Sequence, residues 1–331
     1  MRNTYLLLSL LILLVTRLTL SPKSEAADIY ANTDNVITPT DEEEAYLGEI
    51  AISLDDAPMP GTRLFGGMQK TEKILQALAE TNCPPIGIFA TAMYATTPKN
   101  LARLRMYGEA GNIIANHSYH HYNLNQVSAA QFIADIEKAH AVLHTLPNFR
   151  PFFRFPYLAE GKNKAQRQQV IDALHQLGYQ EGYTTVNNHD YYLNKLLLQA
   201  VKAGKVIDYD KLRKLYLTII WDCIATNQKL AYSVCNRKVK HVLLLHENDV
   251  TALFLKDLIE HIRAQGWKII SIEEAYQDEI ATIPVTNTYS LVGRISAIAV
   301  EKGLGKKRIS FPATAYLDYI PKAVKEQGIF T

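Results

Sequence analysis

From Ile50 onward, short apolar runs alternate with amphipathic stretches, the pattern of a mostly parallel sheet whose strands are joined by helices. Strands are predicted at Ile50–Leu54, Ile86–Ala90, Asn112–Asn116, Phe152–Phe155, Gly182–Val186, His241–Leu245 and Trp267–Ile270. Helices are predicted between them, at Lys70–Glu80, Ala102–Glu109, Ser128–Leu143, Lys164–Leu177 and Leu253–Gln265. Ser128 is a candidate N-cap, and Gly178 and Gly266 stand where helices close. Polar clusters follow the strands, at Asp55-Asp56, His117–His121, Pro156-Tyr157, Asn187–Asp190 and His246-Glu247. Active sites of α/β barrels and open sheets lie at that end of the strands.

One stretch breaks the alternation. Leu212, Leu215, Tyr216, Ile219, Ile220 and Cys223 recur at three- and four-residue steps, a helical stripe. With a helix over Tyr191–Ala203, it reads as a helical insertion at about 191–236, packed against the body. The alternating body covers 50–275. Residues 276–331 form a C-terminal extension, with short helices near Arg294–Lys302 and Pro321–Gln327.

The amino end has a different pattern. Arg2 precedes an apolar stretch from Tyr5 to Val15, and Ser24-Glu25-Ala26 offers small residues at the positions a signal peptidase needs. Residues 1–26 therefore read as a signal peptide and 27–49 as a polar lead-in, which places the mature chain in the periplasm or outside the cell. Once cleaved, it keeps no stable membrane span. Uncleaved and counted to Leu20, the stretch approaches the roughly 20 residues of an anchor.

Composition adds limits. The 331 residues are 48% apolar and 21% charged, an ordinary globular balance. Thirty-five Lys and Arg against 33 Asp and Glu leave a formal charge of +2, which gives no reason to expect a nucleic-acid partner. Cys83, Cys223 and Cys235 are too few and scattered for a metal cluster or a disulfide framework; one bridge is possible, and three isolated thiols is the preferred reading.

The chemistry starts from His117-Ser118-Tyr119-His120-His121 and the distant pair Asp55-Asp56. Two imidazoles four residues apart share one face of a helical turn, and with a carboxylate they make a mononuclear metal site that leaves room for water. A second carboxylate beside the ligating one can act as a base. His120 points elsewhere in such a turn and is expected to meet substrate or solvent.

Four ordered motifs resemble those of the polysaccharide deacetylase family, also called the NodB homology domain or carbohydrate esterase family 4. They are Ser53-Leu54-Asp55-Asp56-Ala57-Pro58, His117–His121, Arg154-Phe155-Pro156-Tyr157 and Leu244-Leu245-His246-Glu247. The resemblance spans about 50–275 and implies an irregular (β/α)7 barrel that hydrolyses N-acetyl, or sometimes O-acetyl, groups on sugars. It implies Asp56, His117 and His121 as ligands of one divalent ion, zinc first, with cobalt, nickel or iron also compatible. Asp55 matches the general base, Arg154 the group that orients it, and His246 the general acid. Tyr157 matches the wall of the substrate groove and the backbone N–H that meets the oxyanion, and Leu244 the pocket for the acetyl methyl.

Three departures stand out. Ala57 replaces the usual glycine, which is free of cost if the backbone there stays extended. Asn187 stands where relatives often carry an acid, which bears on substrate preference. The family's Asp-Trp pair, whose aspartate tunes the catalytic histidine, has two candidates, Trp221-Asp222 and Asp190-Tyr191. The helical stripe disfavours the first, and Asp190 takes the role at the end of its strand. The expected partner is an N-acetylated glycan. An O-acetyl ester or cyclic amide substrate, or a non-catalytic carbohydrate-binding barrel, are the rival readings.

Overall fold

The structure is a computed structural model that describes residues 48–304 and 306–331, and of 306–315 the backbone alone. The expected signal peptide, and all of the lead-in up to residue 47, lie outside the described residues.

Strand β1 (Glu49–Ala57) is followed by α1 (Gly67–Glu80), β2 (Gly87–Ala90), α2 (Pro98–Glu109), β3 (Ile113–Asn116), α3 (Ala129–Leu143) and β4 (Phe149–Phe153). Then come α4 (Lys164–Gln176), β5 (Gln180–Glu181), α5 (Asp190–Lys202), α6 (Tyr209–Cys235), β6 (Lys240–His246), α7 (Asp249–Ala264) and β7 (Lys268–Ile269). The strands make one parallel sheet in the order β5-β4-β3-β2-β1-β6, with β7 on the first two residues of β1. This is the expected α/β class, a curled parallel sheet with helices in its crossovers.

Closure of the sheet is irregular. The predicted strand Gly182–Val186 is not a continuous one. Its chain leaves β4 after Glu181 and reaches β6 by a single bridge, Val186 to Leu243, reinforced by the Leu244 N–H donating to Val186 C=O at 2.9 Å. A segment that must cross from one edge to the other cannot ladder fully with either. Gly182 sits at the crossing, where an added Cβ would overlap the Phe89 ring.

Alternation along each strand sorts the two faces. Ile50, Ile52 and Leu54 of β1 join Leu243 and Leu245 of β6 in the apolar layer under α1, α5, α6 and α7. Each such buried Leu or Ile contributes about 1.5–3 kcal/mol. On the other face β1 presents Ala51, Ser53 and Asp55, passing from an apolar floor to a charged mouth.

The helical stripe is a 27-residue helix, α6. Its Leu212, Leu215, Ile219 and Ile220, with Leu193 and Leu197 of α5, belong to the main apolar layer, so these helices act as crossover helices of the body. Trp221 packs edge-on to Trp267, and Asp222 accepts the Tyr316 hydroxyl at 3.3 Å.

After β7, α8 (Ile272–Ala275) closes the body, and the extension carries α9 (Arg294–Glu301) and α10 (Lys306–Glu326). The last runs straight through Pro321, where a new short helix was expected. Cys83, Cys223 and Cys235 are free, and burial raises the first to about 12. Among the described residues no helix is long and apolar enough to cross a membrane.

Candidate active site

Asp55 and Asp56 are neighbours, and in a regular strand they would face opposite ways. A bulge prevents this: Asp55 pairs with Phe89 and Ala57 with Ala90, so Asp56 is the extra residue, with φ 67°. Aspartate tolerates that left-handed conformation better than most residues. Ala57 is not among the residues with positive φ, so it takes the place of glycine without strain.

The histidine run is a loop, which corrects the expected helical turn. Ser118 and His121 both have positive φ, at 67° and 57°, and it is this pair of left-handed residues that brings the two imidazoles together. Side chains pin the loop: Ser118 N–H donates to Asn116 Oδ1, and His121 N–H to Ser118 Oγ. Asp135, on α3, accepts from the Tyr119 and His120 N–H groups at 2.9 Å each and lies 2.5 Å from His120 Nδ1. His120 is thus tied to Asp135 through Nδ1, while its side chain stays 35% exposed. Nothing in the sequence marked Asp135 beyond its place in an amphipathic helix.

Asp56, His117 and His121 offer three ligand atoms, all within 4.8 Å of one another. His121 Nε2 is 3.2 Å and His117 Nε2 3.8 Å from Asp56 Oδ1. His117 Nδ1 meets the Arg154 carbonyl at 2.9 Å; donating there fixes the tautomer and leaves Nε2 as a lone-pair donor. Burial lowers His121 to about 4, against the pull of Asp56, so its imidazole is neutral, the form a metal needs. Burial alone would raise the Asp56 carboxyl, but the facing His121, His117 and His246 hold it below the usual range. One carboxylate and two imidazoles fit a divalent transition-metal ion.

Asp55 is buried beside this set. Arg154 Nη1 donates to its Oδ1 at 2.6 Å, leaving Oδ2 at 3.6 Å from His117 Nε2. Arg154 lies one residue past β4, and every edge of its guanidinium is engaged: Gly182 C=O, Ser53 Oγ, Tyr183 C=O and the Tyr276 hydroxyl, with the Phe89 ring 3.8 Å away. Burial disfavours its charge, yet Asp55 and Tyr276 raise it above the arginine norm. Nothing in the sequence pattern marks Ser53 or Tyr276 as a partner of Arg154.

His246 ends β6 as the register partner of Asp55, so base and acid candidates are on adjacent strands. Its Nδ1 is 2.8 Å from Asp190 Oδ1, and its N–H donates to Asp190 Oδ2. Asp190 is buried, and it begins α5, where a strand end was expected. Desolvation works against a charged imidazole, but Asp190 first, then Asp56 and Asp55, raise His246 to about 9. Glu247, next in sequence, turns away into a buried network, with Arg103 at 2.8 Å, Met59 N–H at 2.6 Å, Thr71 and Tyr107.

Tyr157 has φ 58°, its side chain is 48% exposed, and its ring meets His121 edge-on at 4.6 Å. Leu244 is buried but belongs to none of the three apolar clusters, and its carbonyl accepts from Asn188. Trp221-Asp222 is not at the site.

Residues 46–182 match the family model described as polysaccharide deacetylase. That stretch is similar to the polysaccharide deacetylase family. Several solved structures are similar to this chain. A family 4 carbohydrate esterase from Streptomyces lividans is 19% identical, covers 69% of this chain and 95% of its own, and has a TM-score of 0.46. The chitin deacetylase of the fungal pathogen Colletotrichum lindemuthianum is also 19% identical, over 74% and 92%, at 0.46. A carbohydrate esterase family 4 pseudoenzyme from Bacillus anthracis is 16% identical, over 70% and 66%, at 0.48. No curated protein matches the chain.

Proposed function

We propose that the chain is a metal-dependent hydrolase that removes acetyl from the acetamido groups of an N-acetylated polysaccharide or oligosaccharide, releasing acetate. One observation carries this reading: a three-ligand set, an arginine-held carboxylate and an aspartate-held histidine meet at one end of one parallel sheet.

Asp56, His117 and His121 would hold the ion, with zinc the first choice. Bound there, it supplies Lewis acidity and lowers the pKa of water. Arg154 occupies Asp55 Oδ1, so Oδ2 is free to take the proton of a water attacking the acetamide carbon. The Tyr157 N–H has no acceptor among the described residues and is free to donate to the developing oxyanion. His246 keeps Nδ1 on Asp190 and has Nε2 left to protonate the leaving nitrogen as the C–N bond breaks. Leu244 suits the acetyl methyl.

A histidine raised to about 9 favours an amide over an ester. An amine must be protonated before it leaves, whereas an alkoxide needs that help less. The signal-like amino end supports export to the periplasm or beyond. The reading is tested by metal analysis of the purified protein, with acetate release measured from chitin oligomers, peptidoglycan, poly-N-acetylglucosamine and acetylxylan. Release from an N-acetylated substrate is expected. Release from acetylxylan alone would favour the esterase, and none from metal-loaded protein would leave a binding barrel.

A further inference from the structure

Leu291, in the C-terminal extension and well outside the family match, carries two anomalies. Its φ is 59°, a conformation that a bulky L-residue rarely adopts, and its side chain is 61% exposed and in none of the apolar clusters. No packing explains why a leucine is held there. Its backbone does have partners. The Leu291 N–H donates to the Tyr157 carbonyl at 3.0 Å, and its own carbonyl accepts from Asn187 Nδ2 at 3.0 Å. Two residues away, the Tyr289 carbonyl accepts the Glu160 N–H. The extension is thus stitched across the loops after β4 and β5, beside Tyr157.

We infer that Leu291 is a lip of the substrate groove, contributed by the extension, that makes an apolar contact with the sugar ring next to the one deacetylated. This rests on the function proposed above. A pyranose has an apolar C–H face that an exposed leucine can cover, and the Leu291 N–H is bonded to Tyr157, whose exposed ring meets His121 edge-on. The lip also gives a physical reason for amide in place of acid at position 187. An asparagine can donate to the Leu291 carbonyl, whereas a carboxylate is an acceptor only and would face that oxygen with like charge.

Leu291→Gly and Leu291→Asn test this without unfolding the loop, because both residues tolerate positive φ and keep the backbone bonds. The probes are the N-acetylglucosamine tetramer and 4-nitrophenyl acetate, on metal-loaded full chain, with tetramer binding followed by calorimetry. We expect both variants to raise KM and Kd for the tetramer about tenfold, the loss of one good apolar contact, with kcat within about twofold and the small ester unaffected. Asn187→Asp should weaken tetramer binding in the same direction by releasing the lip. Wild-type affinity in both Leu291 variants would overturn the lip and leave the proposed function standing. A wild type that neither binds nor deacetylates N-acetylated oligomers would overturn the function, and the lip with it.

Discussion

The site is built from two unlike halves. Asp55, Asp56, His117, His121 and Arg154 come from the ends of β1, β3 and β4, within residues 46–182, and are set by short loops. Asp190 and His246 come from beyond that stretch, 56 residues apart in sequence, with two long helices between them. The first half gets its precision from local backbone devices: a bulge at Asp56, left-handed Ser118 and His121, and an arginine with every edge bonded. The second gets it from tertiary packing, since α5 must dock on α7 and β6 for Asp190 to reach His246. Local devices survive sequence drift around them. Docked ones depend on everything in between.

The largest effects should come from the first half. His117→Ala or His121→Ala removes one of three ligands, worth several kcal/mol of metal affinity, so the purified variants should hold almost no metal. His120→Ala breaks the tie to Asp135 and the ring contacts with Tyr119 and Tyr122, and should keep the ion near wild-type occupancy. Stoichiometric metal in the His117 variant, or its loss only in the His120 variant, would sink the ligand set. Asp55→Asn should keep the metal and lose about 10²- to 10⁴-fold in rate, the range for removing a proton-transfer group. Asp56→Asn should lose the metal instead, and an exchange of these two phenotypes would reverse the roles in the pair.

A middle effect joins the halves. Glu247, beside His246, grips the loop after Asp56 through Met59 N–H and is itself held by Arg103 from α2. Both charges are fully buried. Arg103→Met should destabilise the fold by about 3–5 kcal/mol in chemical denaturation, because it strands a buried carboxylate. Adding Glu247→Leu to it should recover much of that loss. If the double variant is as unstable as the sum of the singles, the pair is not the interacting unit described.

What could be read from the sequence follows the same division. The candidate metal and base residues are legible because each follows an apolar run and because two of the histidines lie four residues apart. The conformation that unites them is not legible: a spacing of four fits a helical turn and a doubly left-handed loop equally, and only the Ser118 and His121 backbone angles decide. His120 looked free because its partner, Asp135, is fifteen residues on, one acid in an ordinary helix face. The choice of Asp190 over Asp222 came from periodicity, since α6 is too regular to break at Trp221. Leu291 and Tyr276 could not be found at all, because nothing in a weakly patterned tail says which strand ends it will touch.

The smallest expected effect is a shift in a pH profile, and it probes the docked half directly. Asp190 is the foremost group that raises His246 toward about 9, so wild-type kcat/KM should fall on the alkaline side as the imidazolium is lost. Asp190→Asn keeps the volume and removes the charge, and the alkaline limb should move toward acid. Asp222→Asn, on α6 and bonded to Tyr316, deletes the same charge and should leave the limb in place. Stability offers a readout independent of turnover. A folded value of about 9 above an unfolded one near 6.5 means the folded chain binds the extra proton between those values. Its contribution is complete below about pH 6.5 and is lost as pH rises through about 9. Metal-free wild type should therefore lose thermal stability across that window, and the Asp190 variant should lose less. An unchanged limb and slope in that variant, with an acid shift in the Asp222 variant, would mean that the two helices dock differently and that Asp222 is the partner of His246.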